Sequence, residues 1–596
     1  MRVRPPAVSW RIAASVVISL VCVLALLGVV GAQFSNGNRA TSKATQATLS
    51  SRGSARMMGT VDLRNLPAMK AGQTTSAPGH ASRDRMTQQQ RAAYYVQAQR
   101  GANIPKAPHV DPQLASTRST TDPKFLGGAI VPPLLLNAPT FISQPSNATS
   151  PPDMALATDL SYVMAGIDAA VGIYRATNGA LAYGPYTADS FFQPITHAND
   201  TFSDPQMNYD VMRDRWIVTY LEWTPGGLSY LDIAVSTSNS PTQPAPGAQY
   251  HEFQIPTTFL GSDTACDYQT LGIEYYSLTV TCVEFDTSNV FKGNTTIVLD
   301  KNSLLNSNTA TYYTFNNAVN TSLNTCSGPC PAFRLSPAIE DGVQDGEFIV
   351  ATDTGYGVTS SNLTPCALTN LNNVSTTAPT LTCGLNNLGV SYADPLPAQQ
   401  FGGHPDFTVG LGTKQIYYKA GRLFVSFTSA FTSQDGAGDA PVWAEVQPQL
   451  STLASHSPQW VNGAPSAQAS TFFFIAGAYS YNPTLMGTDE GDMLLTFNQT
   501  NPTPNHTSNS LVIWTGRKAT DAPNTMGQDA GTFSYKSFGA IGSEYVAASH
   551  WSDYAACAVP LNSVTRGKVW CAGDFAGEDP SHNPTWSTWI YELRLE

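Results

Sequence analysis

From Pro151 onward, polar and apolar positions recur in one order. A segment with a Pro or Asp and alternating apolar residues meets a polar turn, and a strongly apolar run follows. The recurrences begin at Pro151 (PPDMALATDLSYVMAGI), Ser203 (SDPQMNYDVMRDRWIVTYL), Cys266 (CDYQTLGIEYYSLTVTCV) and Arg334 (RLSPAIEDGVQDGEFIVAT). They continue at Asp406 (DFTVGLGTKQIYYKAGRLFVSF), Tyr481 (YNPTLMGTDEGDMLLTFN) and Trp551 (WSDYAACAVPLNSVTRGKVWCAG). The apolar runs sit near Tyr162, Trp216, Thr279, Ile349, Phe424, Leu494 and Val569, a mean spacing of about 68 residues. A second β-rich run follows in most units, such as AAVGIYRA, SYLDIAVSTS and STWIYELRL, and only the fourth unit lacks a clear one. The residues are β-branched and aromatic with period-two alternation, broken by Gly, Pro, Asn and Asp, and no long stretch has helical periodicity.

Seven such units predict an all-β chain, a seven-bladed β-propeller over residues 126–596. Radial closure removes the exposed edges that a long open antiparallel sheet would present. Two β-sandwiches in series are the competing architecture; the roughly uniform period and the lack of a linker after Pro151 speak against it. The apolar run Ala129–Leu136, or Thr140–Ile142, is placed to add a strand to the last unit and close the ring.

The N-terminus follows a different pattern. Arg2, Arg4 and Arg11 precede an uncharged stretch, Ile12 to Ala32. It is longer than the roughly 7–15 residues of a signal-peptide core and matches the ~20 of a spanning helix. The small residues Val30-Gly31-Ala32 also suit signal-peptidase cleavage. Residues 1–32 are therefore expected to be a membrane anchor or a signal peptide, and both export the remainder. Residues 33–125, rich in Ser, Thr, Gln, Ala and Arg, read as a disordered basic stalk with one short helix-prone piece, Met86 to Arg100.

Charge sharpens the division. Residues 1–125 carry a net +12 and residues 126–596 a net −24, giving the chain's −12. An acidic folded part excludes nucleic acid as its partner, since phosphate binding needs clustered Lys and Arg.

Nine cysteines are present, and Cys22 lies in the apolar segment. The other eight fit disulfides in an extracellular setting. Cys266/Cys282 and Cys557/Cys571 flank turn-like midpoints, so each pair is expected to bridge a hairpin. Cys326/Cys330 and Cys366/Cys383 are the natural remaining pairs. Zinc is the competing reading, opposed by the lack of CxxC and of a His at ligand spacing beside any pair. Eight Asn-x-Ser/Thr sequons, among them Asn294, Asn373 and Asn498, imply exposed loops if the host glycosylates.

Several segments resemble blade signatures of secreted bacterial seven-bladed β-propeller proteins of sialidase-like fold. They are Asp204-Pro205-Gln206-Met207-Asn208-Tyr209-Asp210 with Arg215-Trp216-Ile217-Val218, then Ile233-Ala234-Val235-Ser236, and in the first unit Pro152-Asp153, Ala157-Thr158-Asp159, Gly172-Ile173-Tyr174 and Thr177-Asn178-Gly179-Ala180-Leu181. Trp551-Ser552-Asp553-Tyr554 resembles their closing Arg-Trp-Gly-Asp-Tyr, with His550 and Ser552 as departures. The resemblance implies a propeller fold and, for most of these proteins, no assigned activity.

Candidate chemistry is sparse. The nearest Asp-box, Ser433 to Asp439, has Ala437 in the Gly place and Trp443 too far on. Carboxylates available for glycoside hydrolysis are Asp204, Asp210, Glu222, Glu284, Asp489, Glu490 and Asp553, and none is assigned a catalytic role. No GxSxG is present, and His251-Glu252 lacks the second His of a zinc protease. Three acidic loops carry oxygen ligands suited to Ca²⁺, with Asp341, Asp345, Asp489 and Asp492 as the metal candidates; solvated hairpin turns are the competing reading. Trp223, Trp443 and Trp460 are candidate ligand-binding aromatics or core residues. These observations predict a non-enzymatic cell-surface or secreted module that binds an extracellular protein or glycan. The alternative is a glycoside hydrolase of sialidase-like fold.

Overall fold

The computed structural model describes residues 45–69, 135–136 and, between 153 and 594, all but short loops and the stretches 321–329, 451–457, 461–469, 501–510, 518–535, 539–553 and 559–567. Two compact units divide the chain, residues 1–43 and Ala44–Glu596. The first, with the apolar segment, lies outside the described residues, as do Met86–Arg100 and the rest of 70–134. Among the described residues no helix is long and apolar enough to cross a membrane.

The fold is all-β, a succession of antiparallel meanders. The first runs through Ala155–Thr158, Tyr162–Ile167, Ala170–Arg175 and Leu181–Thr187. The second joins Thr201–Asp210, Arg215–Trp223, Ser229–Ser236 and Gln249–Pro256. The third joins Thr264–Ile273, Ser277–Asp286, Phe291–Asp300 and Thr309–Asn316. The fourth takes Leu335–Glu340, Gly346–Thr352, Ser360–Thr369 and Thr380–Cys383. The fifth takes Ile416–Lys419, Arg422–Ser433, Gly436–Val446 and Ser470–Phe472, and the sixth Tyr479–Gly487, Met493–Thr500, Leu511–Arg517 and Lys536–Phe538. The last joins Ala556–Ala558, Lys568–Glu578 and Pro584–Arg594, and Leu135–Leu136 pairs with Ile590 and Tyr591 as its outer strand. That strand comes from the first of the two apolar runs expected to close the last unit.

Each apolar run found in the sequence is the second strand of a meander. These strands are sandwiched on both faces: Ser277–Asp286, Gly346–Thr352 and Met493–Thr500 are buried along their whole length. First strands of successive meanders touch in order, and the first strand of the last meander touches that of the first.

A repeated backbone irregularity marks these first strands. Asp204, Tyr268 and Asn482 have φ of 54°, 55° and 51°. Each sits where the register to the next strand slips, between Ser203 and Gln206, Asp267 and Thr270, and Tyr481 and Thr484. A bulge bends a strand and re-aims its side chains. Asp and Asn tolerate the left-handed region better than most residues, whereas an aromatic there is strained. In the sequence these are the Asp, Tyr and Asn of SDPQ, CDYQ and YNPT, so the recurring polar segment encodes the bulge.

Bonds between neighbouring meanders then run along these strands. Asp204 N donates to Asp168 Oδ1 (2.9 Å), and Gln269 Nε2 to Asp204 O. Thr270 Oγ1 donates to Leu335 O (2.8 Å), and Ser336 Oγ to Thr413 O (2.7 Å). Lys414 Nζ donates to Asn482 Oδ1, and Thr484 Oγ1 to Ala555 O (3.0 Å).

The stalk expectation fails over residues 45–69. Leu49–Asp62 is a strand, called β1, that pairs with Thr309–Phe315 through residues 49–56 and with Gln249–Phe253 through residues 57–62. Thr45–Gln46 pairs with Thr382–Cys383 of the fourth meander. Leu63 O accepts from Tyr186 Oη (2.8 Å), and Met69 N donates to Pro185 O (2.8 Å), both in the first meander. This segment therefore lines the outer edges of four meanders. Its burial alternates, with Ala55, Val61 and Leu63 in the core.

Three disulfides join Cys266–Cys282 and Cys557–Cys571, as the hairpin spacing predicts, and Cys366–Cys383, one of the two remaining pairs. The latter two pairs lie directly opposite across their ladders. Cys266 instead faces Glu284, so its bridge to Cys282 is diagonal. Cys330 is disulfide-bonded, and its expected partner Cys326 lies outside the described residues. Two sequons are not in exposed loops. Asn294 is fully buried and donates to Ala318 O (3.0 Å) and Ala332 O (2.8 Å), and Asn498 is buried on Asp574 O.

Candidate functional site

Two clusters of ionisable side chains stand out among the described residues. The first gathers around the first strand of the second meander. Asp153, Asp168 and Asp204 are buried, with carboxylate oxygens within 4.8 Å of one another. The bulge at Asp204 presents its carboxylate to Tyr554, whose Oη donates to Asp204 Oδ2 (3.1 Å) and Gln269 O (2.8 Å). Arg334, 2% exposed, sits against this phenol. Its guanidinium carbon lies 4.8 Å from the Tyr554 ring centre and 5.5 Å from that of Tyr268. Arg334 Nη1 donates to Leu411 O (3.2 Å), while Nε and Nη2 have no hydrogen-bond partner among the described residues. From the fifth meander, Gln415 Oε1 accepts from Cys557 N (2.9 Å) and Tyr417 Oη donates to Cys557 O.

The second cluster lies where the first meander meets the second. The helix Ala188–Phe191, capped by Thr187 Oγ1 on Ser190 N (3.0 Å), leads through a turn to His197. His197 Nδ1 is 3.1 Å from Glu222 Oε1 and 3.3 Å from Asp200 Oδ2. Its ring stacks on Tyr230 at 5.1 Å, and its side chain is 45% exposed. Glu222 is fully buried on Arg215–Trp223. Gln254 Nε2 bridges Glu222 Oε2 (2.7 Å) and Asp232 Oδ1 (2.9 Å) from the adjacent strand. Burial holds the Glu222 and Asp232 carboxyls well above the usual range, and the bond to Glu222 raises His197.

Glu252, on the same strand as Gln254, is fully buried with both carboxylate oxygens unpartnered among the described residues, and burial alone pushes it up to about 9. The folded chain thus keeps a proton that the unfolded chain releases near pH 4.5. Its stabilising contribution is complete below that pH and is lost as pH rises toward 9. Glu347 and Glu274, pushed up to about 8 and about 7 by burial, act in the same direction. Glu252→Gln removes one of these titrations. Urea unfolding at pH 5 and pH 8.5 is expected to show a smaller loss of stability for the variant, by on the order of a few kcal/mol.

The candidates from sequence divide sharply. Asp204 and Glu222 fall in the two clusters. Asp210 is buried in an ion pair with Lys301 (2.6 Å), and Glu284 accepts from Thr264 Oγ1 (2.6 Å), Thr295 Oγ1 (2.5 Å) and Leu260 N (2.9 Å), so both hold structure. Trp223 and Trp443 are buried, Trp443 fully, and are core residues rather than a binding face. Trp460 lies on the short strand Pro458–Trp460. Asp341, Asp345, Asp489, Glu490, Asp492 and Asp553 lie outside the described residues. Elsewhere Arg213 stacks on Tyr275 (3.9 Å), Arg175 lies over Tyr162 (6.0 Å) and Arg422 pairs with Glu445 (3.4 Å). Sequence reasoning missed His197, Asp200, Asp232, Gln254, Asp168 and Gln269, because their partners lie on other strands with no ligand spacing along the chain.

No family model and no curated protein matches this chain. Among solved structures it is similar to the polysaccharide lyase Uly1, at 10% identity and a TM-score of 0.23 over 82% of this chain and 97% of that one. It is similar to Trypanosoma rangeli sialidase in complex with sialic acid, at 8% identity and a TM-score of 0.31 over 72% of this chain and 57% of the sialidase. The parainfluenza virus 5 hemagglutinin-neuraminidase ectodomain gives 9% identity and a TM-score of 0.29 over 67% and 82%. Likeness at this level identifies neither a family nor an activity.

Proposed function

We propose that the chain is an exported seven-bladed β-propeller that serves as a non-enzymatic binding module for a protein or a glycan at the cell surface or outside the cell. Support for the ring comes from the cyclic order of first-strand contacts and from Leu135–Leu136 on the last meander. Support for export comes from the disulfides and from the arginine-flanked apolar stretch 12–32, which anchors the protein if it is not cleaved. The acidic balance of residues 126–596 keeps nucleic acid out of the reading.

One observation carries the functional part. The polar side chains along the first strands are engaged with one another across meanders: Tyr554 with Asp204, Ser336 with Thr413, Lys414 with Asn482. Groups that bind or transform a ligand must face it; these face their neighbours and hold the ring. Recognition then falls to the loops that the rigid strands present.

The hydrolase alternative has its own observation, the Tyr554 phenol on Asp204 beneath Arg334. A carboxylate-activated phenol is a nucleophile in some glycosidases. Fluorogenic glycosides of neutral and acidic sugars separate the two. The binding reading expects no release of fluorophore above buffer. Release by the wild type that Tyr554→Phe abolishes would transfer the assignment to the hydrolase.

A further inference from the structure

The His197 cluster has a composition that hydrogen bonding alone does not balance. Asp200, Glu222 and Asp232 bring three carboxylates to one corner of the second meander, and besides one another the groups bonded to them are one imidazole, the His197 backbone N–H and one amide. No Lys or Arg pairs with any of the three among the described residues.

Two oxygens are left over. Asp200 has a side chain with no exposure, and its Oδ1 has no hydrogen-bond partner among the described residues although Oδ2 lies against His197 Nδ1. Asp232 is fully buried, and its Oδ2 has no hydrogen-bond partner among the described residues although Oδ1 shares the Gln254 amide with Glu222. Burying such oxygens unpaired costs about 1–3 kcal/mol each, more when charged. A cation held by the Asp200 carboxylate gives its Oδ1 a partner.

The spacing fits a small ion. His197, Asp200 and Glu222 each offer one ligand atom within 4.8 Å of the others, and His197 Nδ1 stands 3.1 Å from Glu222 Oε1 and 3.3 Å from Asp200 Oδ2. Ligands about 2.0–2.2 Å from a tetrahedral zinc stand roughly 3.3–3.5 Å apart, close to these two nitrogen–oxygen separations. One nitrogen with carboxylate oxygens suits a first-row divalent ion, whereas Ca²⁺ seeks 6–8 oxygens. The half-exposed His197 gives the entry path, and Tyr230 stacked behind it fixes the ring.

We propose that His197, Asp200 and Glu222 form a binding site for a first-row divalent cation, zinc foremost, that pins the loop leaving the first meander onto the second, with Asp232 in support.

The test is calorimetric titration of zinc chloride into the untagged, chelator-stripped full chain, with thermal unfolding run in parallel. The wild type is expected to bind one zinc at this site and to melt higher in its presence. His197→Ala, a change at a half-exposed side chain, is expected to weaken that binding at least tenfold and to cancel the shift in Tm. Glu222→Gln is expected to do the same, and should it fail to fold, His197→Ala decides alone. Calcium chloride at the same concentration is expected to leave Tm unchanged. Absence of saturable zinc binding by the wild type, or equal binding by His197→Ala, would overturn the site.

Discussion

A chain that starts at residue 70 is expected to lose several kcal/mol of stability and to self-associate, whereas one that starts at residue 45 behaves as the full protein does. The longer truncation removes β1 and its flanks. The outer strands Gln249–Pro256 and Thr309–Asn316 then become bare edges, and bare edges template pairing with other chains. It also withdraws Ala55, Val61 and Leu63 from the core and leaves Tyr186 Oη without Leu63 O. Burying a Val or Leu side chain contributes about 1.5–3 kcal/mol each, and an orphaned buried hydroxyl costs about 1–3 kcal/mol. Analytical ultracentrifugation with urea unfolding checks both effects. Equal stability and a monomeric state in the two truncations would show that β1 only rests on the surface.

Replacing Lys301 by Met is expected to destabilise the protein by about 3–5 kcal/mol. Lys301 follows Asp300 at the start of the short helix Lys301–Asn306, and its ammonium is wholly buried. It pairs with Asp210 of the second meander at 2.6 Å and donates to Glu274 O of its own. Removal of the cation leaves the buried Asp210 carboxyl without its ion-pair partner. Burial also lowers the Lys301 pKa, while Asp210 opposes that fall. The double variant Asp210→Asn/Lys301→Met is expected to recover part of the loss, because it removes the stranded carboxyl. Denaturant unfolding of the three variants measures the coupling. A single variant within about 0.5 kcal/mol of wild type would mean that the pair contributes little.

The strands that the sequence made legible are those buried on both faces. Trp216, Ile349 and Leu494 mark continuous apolar runs because neighbouring meanders cover both sides of them. Edge strands do not write that pattern. In β1, Ser, Arg, Gly and Met alternate between solvent and the outer edges of other meanders, so the segment reads as polar linker. The third strand of the fourth meander, Ser360–Thr369, begins half-exposed and carries Pro365, which hides it in the same way. Hairpin disulfides were legible because each pair spans a local turn. The clusters were not. Glu222 meets His197 across 25 positions, and Tyr554 meets Asp204 across 350. Only the order of meanders around the fold brings them together. The left-handed Asp204 sits in a motif that the sequence flags as recurrent, yet what its carboxylate touches is decided by the far end of the chain.

The most direct test of the account is an experimental density map of the intact protein at a resolution that shows side chains. Seven four-stranded blades in one closed ring are expected, with Leu135–Leu136 as the outer strand of the last. The axis is expected to be filled by Tyr554 on Asp204, Arg334 between Tyr268 and Tyr554, and Lys414 on Asn482. Two separate sandwiches, another blade count, or an open funnel with these groups turned toward solvent would contradict this arrangement.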